Sequence, residues 1–231
     1  MGQLSTSLTV VDNRWWGQDN IRDDEQKAVF GEVTIPASDK TDITVGFRKY
    51  DTENTFDAKD GYFGYYETDP NLGYVGRTNT YQFDDSGVVP KFNIAHRPND
   101  DLLVYATYSE GFRPSGINRT TGRTAELVPD TYTSDLLRNL ELGWKSTLAD
   151  GKVIFNGLVY SMNWEDYQST RYVYDLLTVA YVDNVGMATV EGAELSSNFI
   201  LSDTLSMSLM ANFNDPTRDD DIVDAGGTVL G

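Results

Sequence analysis

Few residues in this chain have the types and spacing that covalent or metal chemistry needs. His96 is the single histidine and there is no cysteine. This argues against a histidine-rich metal site or a Ser-His-Asp nucleophile, and it leaves no thiolate ligand. Glu191 and Glu194 are three residues apart, and on a strand that spacing places two side chains on opposite faces. They therefore do not form the facing acid and base of a carbohydrate-active enzyme.

The densest run of carboxylates is Asp219–Asp221, in the segment DDDIVDAGG. A calcium loop alternates its ligands, turns at a glycine and ends in a distal glutamate that binds through both oxygens. The run does not follow that spacing, and the sequence contains no GxGxxG, Walker A or HExxH pattern. We therefore expect no catalytic residue, no metal site and no cofactor, in a protein that is not an enzyme.

Tyrosine-rich segments are better candidates for function, because a phenol offers both a stacking face and a hydroxyl donor. Two such segments are Asp60–Tyr66 and Arg171–Tyr181, and an Arg113-Pro114 step opens a third polar segment. We expect these segments to be loops that bind a ligand. The candidate ligand-binding residues are Tyr62, Tyr65, Tyr66, Arg113, Tyr172 and Tyr174.

The elements that must position these loops are predicted to be β-strands joined by short polar turns. Turns that combine Asp with Gly, Pro, Ser or Asn recur roughly every fifty to sixty residues, and long irregular segments separate the strand pairs. This rhythm is typical of an outer-membrane barrel, with short turns on one rim and long loops on the other. The predicted turns are Pro36–Asp42, Arg97–Asp101, Leu148–Gly151 and Leu201–Thr204.

Apolar and polar residues alternate along the segments that flank the turns, which indicates strands with one apolar and one mixed face. In Asp101–Phe112, for example, Leu102, Val104, Ala106 and Tyr108 share one face. Several segments exceed the five or six residues usual in sandwiches, and a tilted membrane strand needs about nine to eleven. The nine or ten predicted strands are Leu4–Val11, Lys27–Pro36, Thr41–Tyr50, a weak one at Gly61–Glu67, Val88–Arg97, Asp101–Phe112, Leu136–Leu148, Gly151–Tyr167, Val185–Ile200 and Asp203–Asn214.

Large aromatic residues lie toward the ends of these predicted strands. Membrane barrels carry an aromatic girdle at each membrane interface, which would account for the placement. Ordinary core aromatics are the alternative explanation. The residues concerned are Trp144, Tyr160, Trp164, Tyr167, Phe199 and Phe213.

Hydropathy and charge exclude other classes of protein. The mean hydropathy is -0.42 and no run of about 18 apolar residues exists, so no transmembrane helix is predicted. Membrane strands remain compatible, because they show lipid only every second residue. The formal net charge of -18 argues against nucleic acid, whose phosphates need clustered Lys and Arg. The start, MGQLSTSLTVV, lacks a signal peptide, so the chain is either cytosolic or missing its true N-terminus.

Three motifs together resemble the barrel domain of TonB-dependent outer-membrane receptors. They are DLLVYATYSEGFRPSGIN at Asp101–Asn118, NLELGWKSTL at Asn139–Leu148 and NVGMATVEGAEL at Asn184–Leu195. The segment Lys27–Tyr50, KAVFGEVTIPASDKTDITVGFRKY, looks like paired strands from the first half of such a barrel. The resemblance covers nearly the whole chain and favours a missing N-terminus over a cytosolic protein.

The resemblance implies an all-β, antiparallel up-and-down transmembrane β-barrel with long outer loops and short periplasmic turns. Residues 1–231 would supply about nine or ten of its twenty-two strands, with the plug domain and the C-terminal strands absent. It also implies the outer membrane of a Gram-negative cell and active uptake of a scarce ligand, most commonly a ferric siderophore. Vitamin B12, haem or an oligosaccharide remain open as ligands. The implied partners are outer-membrane lipid, the TonB complex acting through the missing plug domain, and the small-molecule ligand, with no nucleic acid.

The residues alone leave a second interpretation open, a soluble extracellular β-sandwich that binds through its Tyr-rich loops. A sandwich with one wet face shows the same alternation as a barrel strand. The outward faces of Asn139–Leu148 and Asp203–Phe213 distinguish the two. These faces contact lipid in a barrel and pack against a second sheet in a sandwich.

Overall fold

The computed structural model of this chain describes residues 16–62, 77–118, 128–174, 178–218, 222–223 and 229–230. No helix within these ranges is long and apolar enough to cross a membrane. The eight long strands of the main sheet are β1 (Trp16–Ser38), β2 (Thr41–Tyr62), β3 (Arg77–Asn99), β4 (Leu102–Arg113), β7 (Asp135–Leu148), β8 (Val153–Glu165), β11 (Ala188–Ser202) and β12 (Leu205–Arg218). The shorter strands are β5 (Gly116–Ile117), β6 (Thr131–Tyr132), β9 (Gln168–Tyr174), β10 (Thr178–Asn184), β13 (Ile222–Val223) and β14 (Val229–Leu230).

The eight long strands form one antiparallel sheet in the order β1-β2-β3-β4-β7-β8-β11-β12. Each long strand therefore pairs with the next long strand along the chain, which is up-and-down topology. The short strands form three two-stranded pairs, β5 with β6, β9 with β10 and β13 with β14. The predicted all-β, antiparallel up-and-down fold is confirmed.

All four predicted turns lie at one end of the sheet, which we call the turn end. They connect β1 to β2, β3 to β4, β7 to β8 and β11 to β12. Between β7 and β8 the backbone is left-handed at Ala149, Asp150 and Gly151, with φ of 53°, 54° and 85°. Aspartate and glycine tolerate this conformation better than other residues, which explains a tight reversal here. We call the opposite end the loop end.

Two neighbouring rows of paired residues show why this sequence forms this sheet. Side chains that face each other across paired strands share a face of the sheet, and successive residues along a strand alternate faces. The apolar row contains Ile35, Ile43, Ile94, Ala106, Leu142, Val159, Ala193 and Phe213. The row beside it, on the other face, contains Thr34, Thr44, Asn93, Thr107, Glu141, Tyr160, Gly192 and Asn214.

These rows define an apolar face and a polar face of the sheet. On the polar face, side chains bond across strands, as between Thr34 and Thr44 (2.9 Å) and from Lys91 Nζ to Glu32 Oε2 (2.7 Å). On the apolar face, large hydrophobic side chains stay exposed on strand after strand, with Phe47 and Leu142 each 52% exposed. A second sheet packed on this face would bury them. The sandwich interpretation is therefore wrong.

Most predicted strands are confirmed in position, but several are longer than predicted. β1, β2 and β3 have 23, 22 and 23 residues. Gly61 and Tyr62 end β2 instead of beginning the separate weak strand predicted at Gly61–Glu67, whose remaining residues lie outside the described ranges. Leu4–Val11 also lies outside them. Arg171–Tyr181, predicted to be a loop, belongs largely to the hairpin β9–β10, because its Val, Thr and Tyr residues favour strands.

The strand pairings divide the aromatic residues that were predicted to form a girdle between the two faces of the sheet. Trp144, Phe199 and Phe213 share the apolar face, as their strand pairings require. Tyr160 and Trp164 lie on the polar face. There the Tyr160 hydroxyl bonds Asn214 and the Trp164 ring packs under a guanidinium. The prediction used position along a strand, which does not indicate the face that each residue takes.

Candidate ligand-binding site at the loop end of the sheet

The loop end carries the long connections, residues 63–76, 114–134 and 166–187. At about 3.3 Å per residue, β1 extends ~75 Å, whereas the lipid-facing band of a membrane barrel is ~25 Å tall. β1, β2 and β3 therefore continue well beyond the apolar band toward this end. The extended parts of β2 and β3 contact the described part of the connection at residues 114–134.

The connection between β4 and β7 folds over the polar face of the extended strands. Its short strands β5 and β6 pair with each other, and the Asn118 amide donates to Asp130 O at 2.7 Å. Ile117 packs against Phe56 of β2, with Tyr81 and Phe83 of β3 beside them. This small core fixes the connection on the polar side of the sheet.

Buried polar side chains attach the same connection to β2 and β3. Ser115, which is buried, accepts a bond from Asn54 Nδ2 at 3.5 Å, and its amide donates to Ser134 Oγ at 3.1 Å. The Ser134 hydroxyl donates to the Asp85 carboxylate. Each of these buried groups has a partner, as buried polar groups require.

Two aromatic rings close the base of this layer. The rings of Tyr50 and Phe112 stack with centroids 3.5 Å apart and planes 7° apart. Burial raises the pKa of the Tyr50 phenol. The Ser134 hydrogen bond lowers this pKa by less than burial raises it, and the nearby Asp85 carboxylate adds a still smaller upward effect. The phenol is therefore neutral and packs as an apolar ring with a hydroxyl.

Arg113, a predicted ligand-binding residue, is the last residue of β4 and is held by protein groups. Its Nε donates to Asp135 Oδ2 at 2.8 Å, and a terminal nitrogen donates to Gln168 O at 2.8 Å. The guanidinium carbon lies 4.5 Å from the centre of the Trp164 ring, a cation–π contact. The side chain remains 46% exposed, so part of it still faces the space above the sheet.

Of the predicted tyrosines, Tyr172 is the one whose side chain lies within the described residues. Tyr172 lies on β9 and is 54% exposed. Tyr174 ends β9, where it pairs with Thr178, and Tyr62 ends β2, where it pairs with Trp16; only the backbone of these two tyrosines is described. Tyr65 and Tyr66 lie outside the described residues. Arg113 contacts the base of the hairpin β9–β10 at Gln168, a residue that was not among those predicted.

Several residues that shape this end were not predicted from the sequence. They are Asp135, Gln168, Asn118 and Asn184, whose side chains bond to backbone groups of other connections. Polar residues at strand ends resemble ordinary turn residues. No local signal distinguishes them from solvent-exposed positions.

In the described part of the chain, no group of three or more His, Cys, Asp or Glu side chains could hold a metal ion. Asp219–Asp221 lies outside the described residues. His96 lies near the turn end, where its Nδ1 is 2.9 Å from Thr41 Oγ1. Although burial lowers the pKa of Arg22, bonds to Asp24 and Tyr132 outweigh that effect and raise it, so this residue stays cationic.

The structure is one sheet with an apolar outer face and a polar inner face, and it has short turns at one end and long packed connections at the other. These features define a β-barrel that spans a membrane. The sequence model of the family described as TonB dependent receptor-like, beta-barrel matches residues 5–231. The chain belongs to this family of TonB-dependent receptors. Proteins of the family lie in the outer membrane of Gram-negative bacteria, and the large hydrophobic side chains of the apolar face are exposed on this sheet.

Known proteins show the same relationship. The chain is 26% identical over 176 residues to the Pesticin receptor of Yersinia enterocolitica, which covers 76% of this chain and 24% of that protein. It matches the ferric yersiniabactin uptake receptor FyuA from Yersinia pestis with a TM-score of 0.70 and 20% identity, over 89% of this chain and 29% of that one. It matches the copper transporter OprC with a TM-score of 0.59 and 16% identity, over 87% and 31%. At these identities the two structural matches show the fold.

The chain spans about a quarter of the length of the curated relatives it matches. All three proteins are named as receptors or transporters. The sheet described above therefore matches a part of each of these proteins.

Proposed function

We propose that this chain is part of an outer-membrane receptor that takes up a ferric siderophore. The observation that carries the proposal is the family match over residues 5–231. The polar face of the sheet would line the ligand path and the apolar face would contact lipid. Passage would involve no covalent chemistry, so release of the ligand would depend on a conformational change driven by a partner.

The intact receptor would supply what the chain does not contain. Because the matched relatives are about four times as long, we propose that a plug domain and the remaining strands come from the same receptor. The TonB complex would act on that plug. The siderophore would bind at the loop end, where Tyr172 and the exposed part of Arg113 face outward, together with Tyr62, Tyr65, Tyr66 and Tyr174.

The ligand class is the least constrained part of the proposal, because proteins with this fold carry different cargo. FyuA is named for ferric yersiniabactin and OprC for copper. A ferric complex is proposed because FyuA, one of the matched receptors, is named for such a complex. Copper would need bare-ion ligands, whereas a siderophore surrounds the iron with its own donors.

An uptake assay tests this function. The full-length receptor is expressed in an iron-starved Gram-negative strain that lacks its own siderophore receptors, and radioactive iron is supplied as ferric yersiniabactin, a ferric catecholate or a ferric hydroxamate. We expect accumulation of at least one complex, and loss of that accumulation in an otherwise identical strain without TonB. Uptake of copper with none of the ferric complexes would reject the siderophore assignment.

A further inference from the structure

The side chain of Asp135, the first residue of β7, joins three separate elements. It is 1% exposed, the only fully buried large side chain in the described part of the chain. Its carboxylate accepts bonds from the Arg113 backbone amide at 3.1 Å and from Arg113 Nε at 2.8 Å, both at the end of β4. It also accepts the Gln168 amide, at the start of β9, at 2.9 Å.

Gln168 adds a second connection at the same place. Its side-chain nitrogen donates to Pro114 O at 2.8 Å and to Thr133 O at 3.0 Å. These carbonyls belong to the two ends of the connection between β4 and β7. Asp135 and Gln168 together hold both ends of that connection against the base of the hairpin β9–β10.

The far strand of the hairpin is bound to the same connection by two asparagines. Asn118 accepts from the Val182 amide at 2.8 Å and donates to Val182 O at 2.6 Å. Its side chain thereby forms the two hydrogen bonds that a neighbouring strand would form with Val182. Asn184 accepts from the Thr133 amide at 2.8 Å and donates to Thr133 O at 3.0 Å. Because these bonds are reciprocal, the hairpin has few ways to move without breaking several at once.

Charge makes Asp135 the critical member of this set. A buried carboxylate is tolerated only while its charge is paired and its oxygens are hydrogen-bonded. The pairing guanidinium of Arg113 rests on the Trp164 ring, 4.5 Å from its centre. Through Arg113, this one carboxylate therefore links the end of β4 to the Trp164 ring of β8 and, through the Gln168 amide, to the hairpin base.

We propose that Asp135 is a positioning residue of the outer mouth, which holds the hairpin β9–β10 and the connection between β4 and β7 as one rigid wall. The hairpin, which carries Tyr172, then does not act as an independent gate. This assignment rests on the proposed function, because only a receptor must admit a ligand at this end.

Spin labelling of the full-length receptor in lipid vesicles tests this assignment. Thr170 on β9 is exposed, and this part of the receptor has no cysteine, so Thr170→Cys places one nitroxide on the hairpin once cysteines elsewhere are replaced by serine. We expect an immobilised spectrum in the parent protein. Asp135→Asn keeps the shape but removes the charge, and we expect the mobile component to change from minor to dominant while the thermal unfolding temperature of the barrel is unchanged.

Two further variants complete the test. Arg113→Gln removes the same ion pair by changing its cationic partner, and it should increase the mobility of the label equally. This variant tests the role of the ion pair if Asp135→Asn fails to assemble. Arg138→Gln is the matched control, because Arg138 of β7 pairs with Glu165 and Glu110 on the opposite face of the same strands and should leave the label immobile.

Two results would overturn the assignment. One is a label as immobile in both charge-removing variants as in the parent, and the other is mobility that rises only together with loss of barrel stability. The spin-label measurement is made without ligand, so failure of the siderophore uptake assay would not contradict the role assigned to Asp135.

Discussion

The phenol ring of Tyr105 on β4 lies directly over Gly143, its paired residue on β7. A Cβ at Gly143 would come within 2.6 Å of the phenol carbon and oxygen, and the hydroxyl donates to Glu141 Oε1 at 2.6 Å. Tyr50 over Gly87 and Tyr160 over Gly192 repeat the arrangement between other strands of the polar face. An aromatic ring over a cross-strand glycine fixes which residues face each other, and so fixes register.

We predict that Gly143→Ala destabilises the receptor by about 1–3 kcal/mol, the usual cost of forcing extra volume into a packed site. The added methyl would displace the Tyr105 ring and break its bond to Glu141. The free energy of unfolding from urea titration in detergent micelles measures the effect. Gly111→Ala on β4 is the control, because nothing lies within 4 Å of its Cβ position; equal losses in both variants would refute the packing explanation.

The same substitution, Leu to Arg, should affect the stability of the receptor differently on the two faces of the sheet. Leu142→Arg places a charge on the apolar face, near the middle of the lipid band, and should cost about 2–4 kcal/mol. Leu158→Arg introduces the same change on the polar face, where Leu158 pairs with Glu194, and should be close to neutral. Assembly yield in outer membranes and the free energy of unfolding distinguish them. Comparable damage from both would mean that the face assignment is incorrect.

Asn118 predicts the hydrogen-exchange behaviour of the hairpin. Asn118→Ala leaves the Val182 amide and carbonyl without the partners described above, at a cost of about 1–3 kcal/mol. Exchange of the Val182 amide should therefore accelerate roughly ten- to hundredfold, since opening of the hairpin edge becomes easier. Mass-spectrometric exchange on the intact receptor measures this rate. Thr170→Ala should leave it unchanged, and an unaltered rate in Asn118→Ala would contradict the role of this side chain.

Tyr172 is the predicted ligand-binding residue that is best placed to be tested, because its ring is more than half exposed. If the ring stacks on the ligand, Tyr172→Ala should weaken binding of the transported ferric siderophore about three- to tenfold, equivalent to the 0.5–1.5 kcal/mol of an aromatic contact. Tyr172→Phe keeps the ring and should bind nearly as well as the parent. Fluorescence titration of the purified receptor measures both affinities, and full affinity in Tyr172→Ala would remove this residue from the site.

Arg113 shows why the candidate site was only partly predictable. Its residue type and its place before Pro114 mark it as functional, yet its partner Asp135 is 22 residues further along the chain and Gln168 is 55 residues away. Contacts at such separations depend on how the connections fold over each other. Local patterns therefore led to the prediction for Arg113 but did not indicate the residues that hold its side chain.

The sequence by itself determined the strands, the turns and the two faces. The alternation of apolar and polar residues along Asp101–Phe112 and Asn139–Leu148 indicates which residues face lipid and which face water. Asp150 and Gly151 favour the chain reversal that they form. These are local effects, because each depends on residues that are close together in the sequence. The motifs around them were sufficient to identify the family.

Only the tertiary structure decided the length of β1–β3, the hairpin β9–β10 and the burial of Asp135. The outer part of β1, with Asp23, Asp24 and Glu25, has little intrinsic preference for a strand, and it is extended because β2 supplies backbone partners throughout its length. Asp135 resembles a surface residue until Arg113 and Gln168 enclose it. Both outcomes depend on partners distant in the chain, whose free energy of interaction outweighs the local preference of the residues concerned.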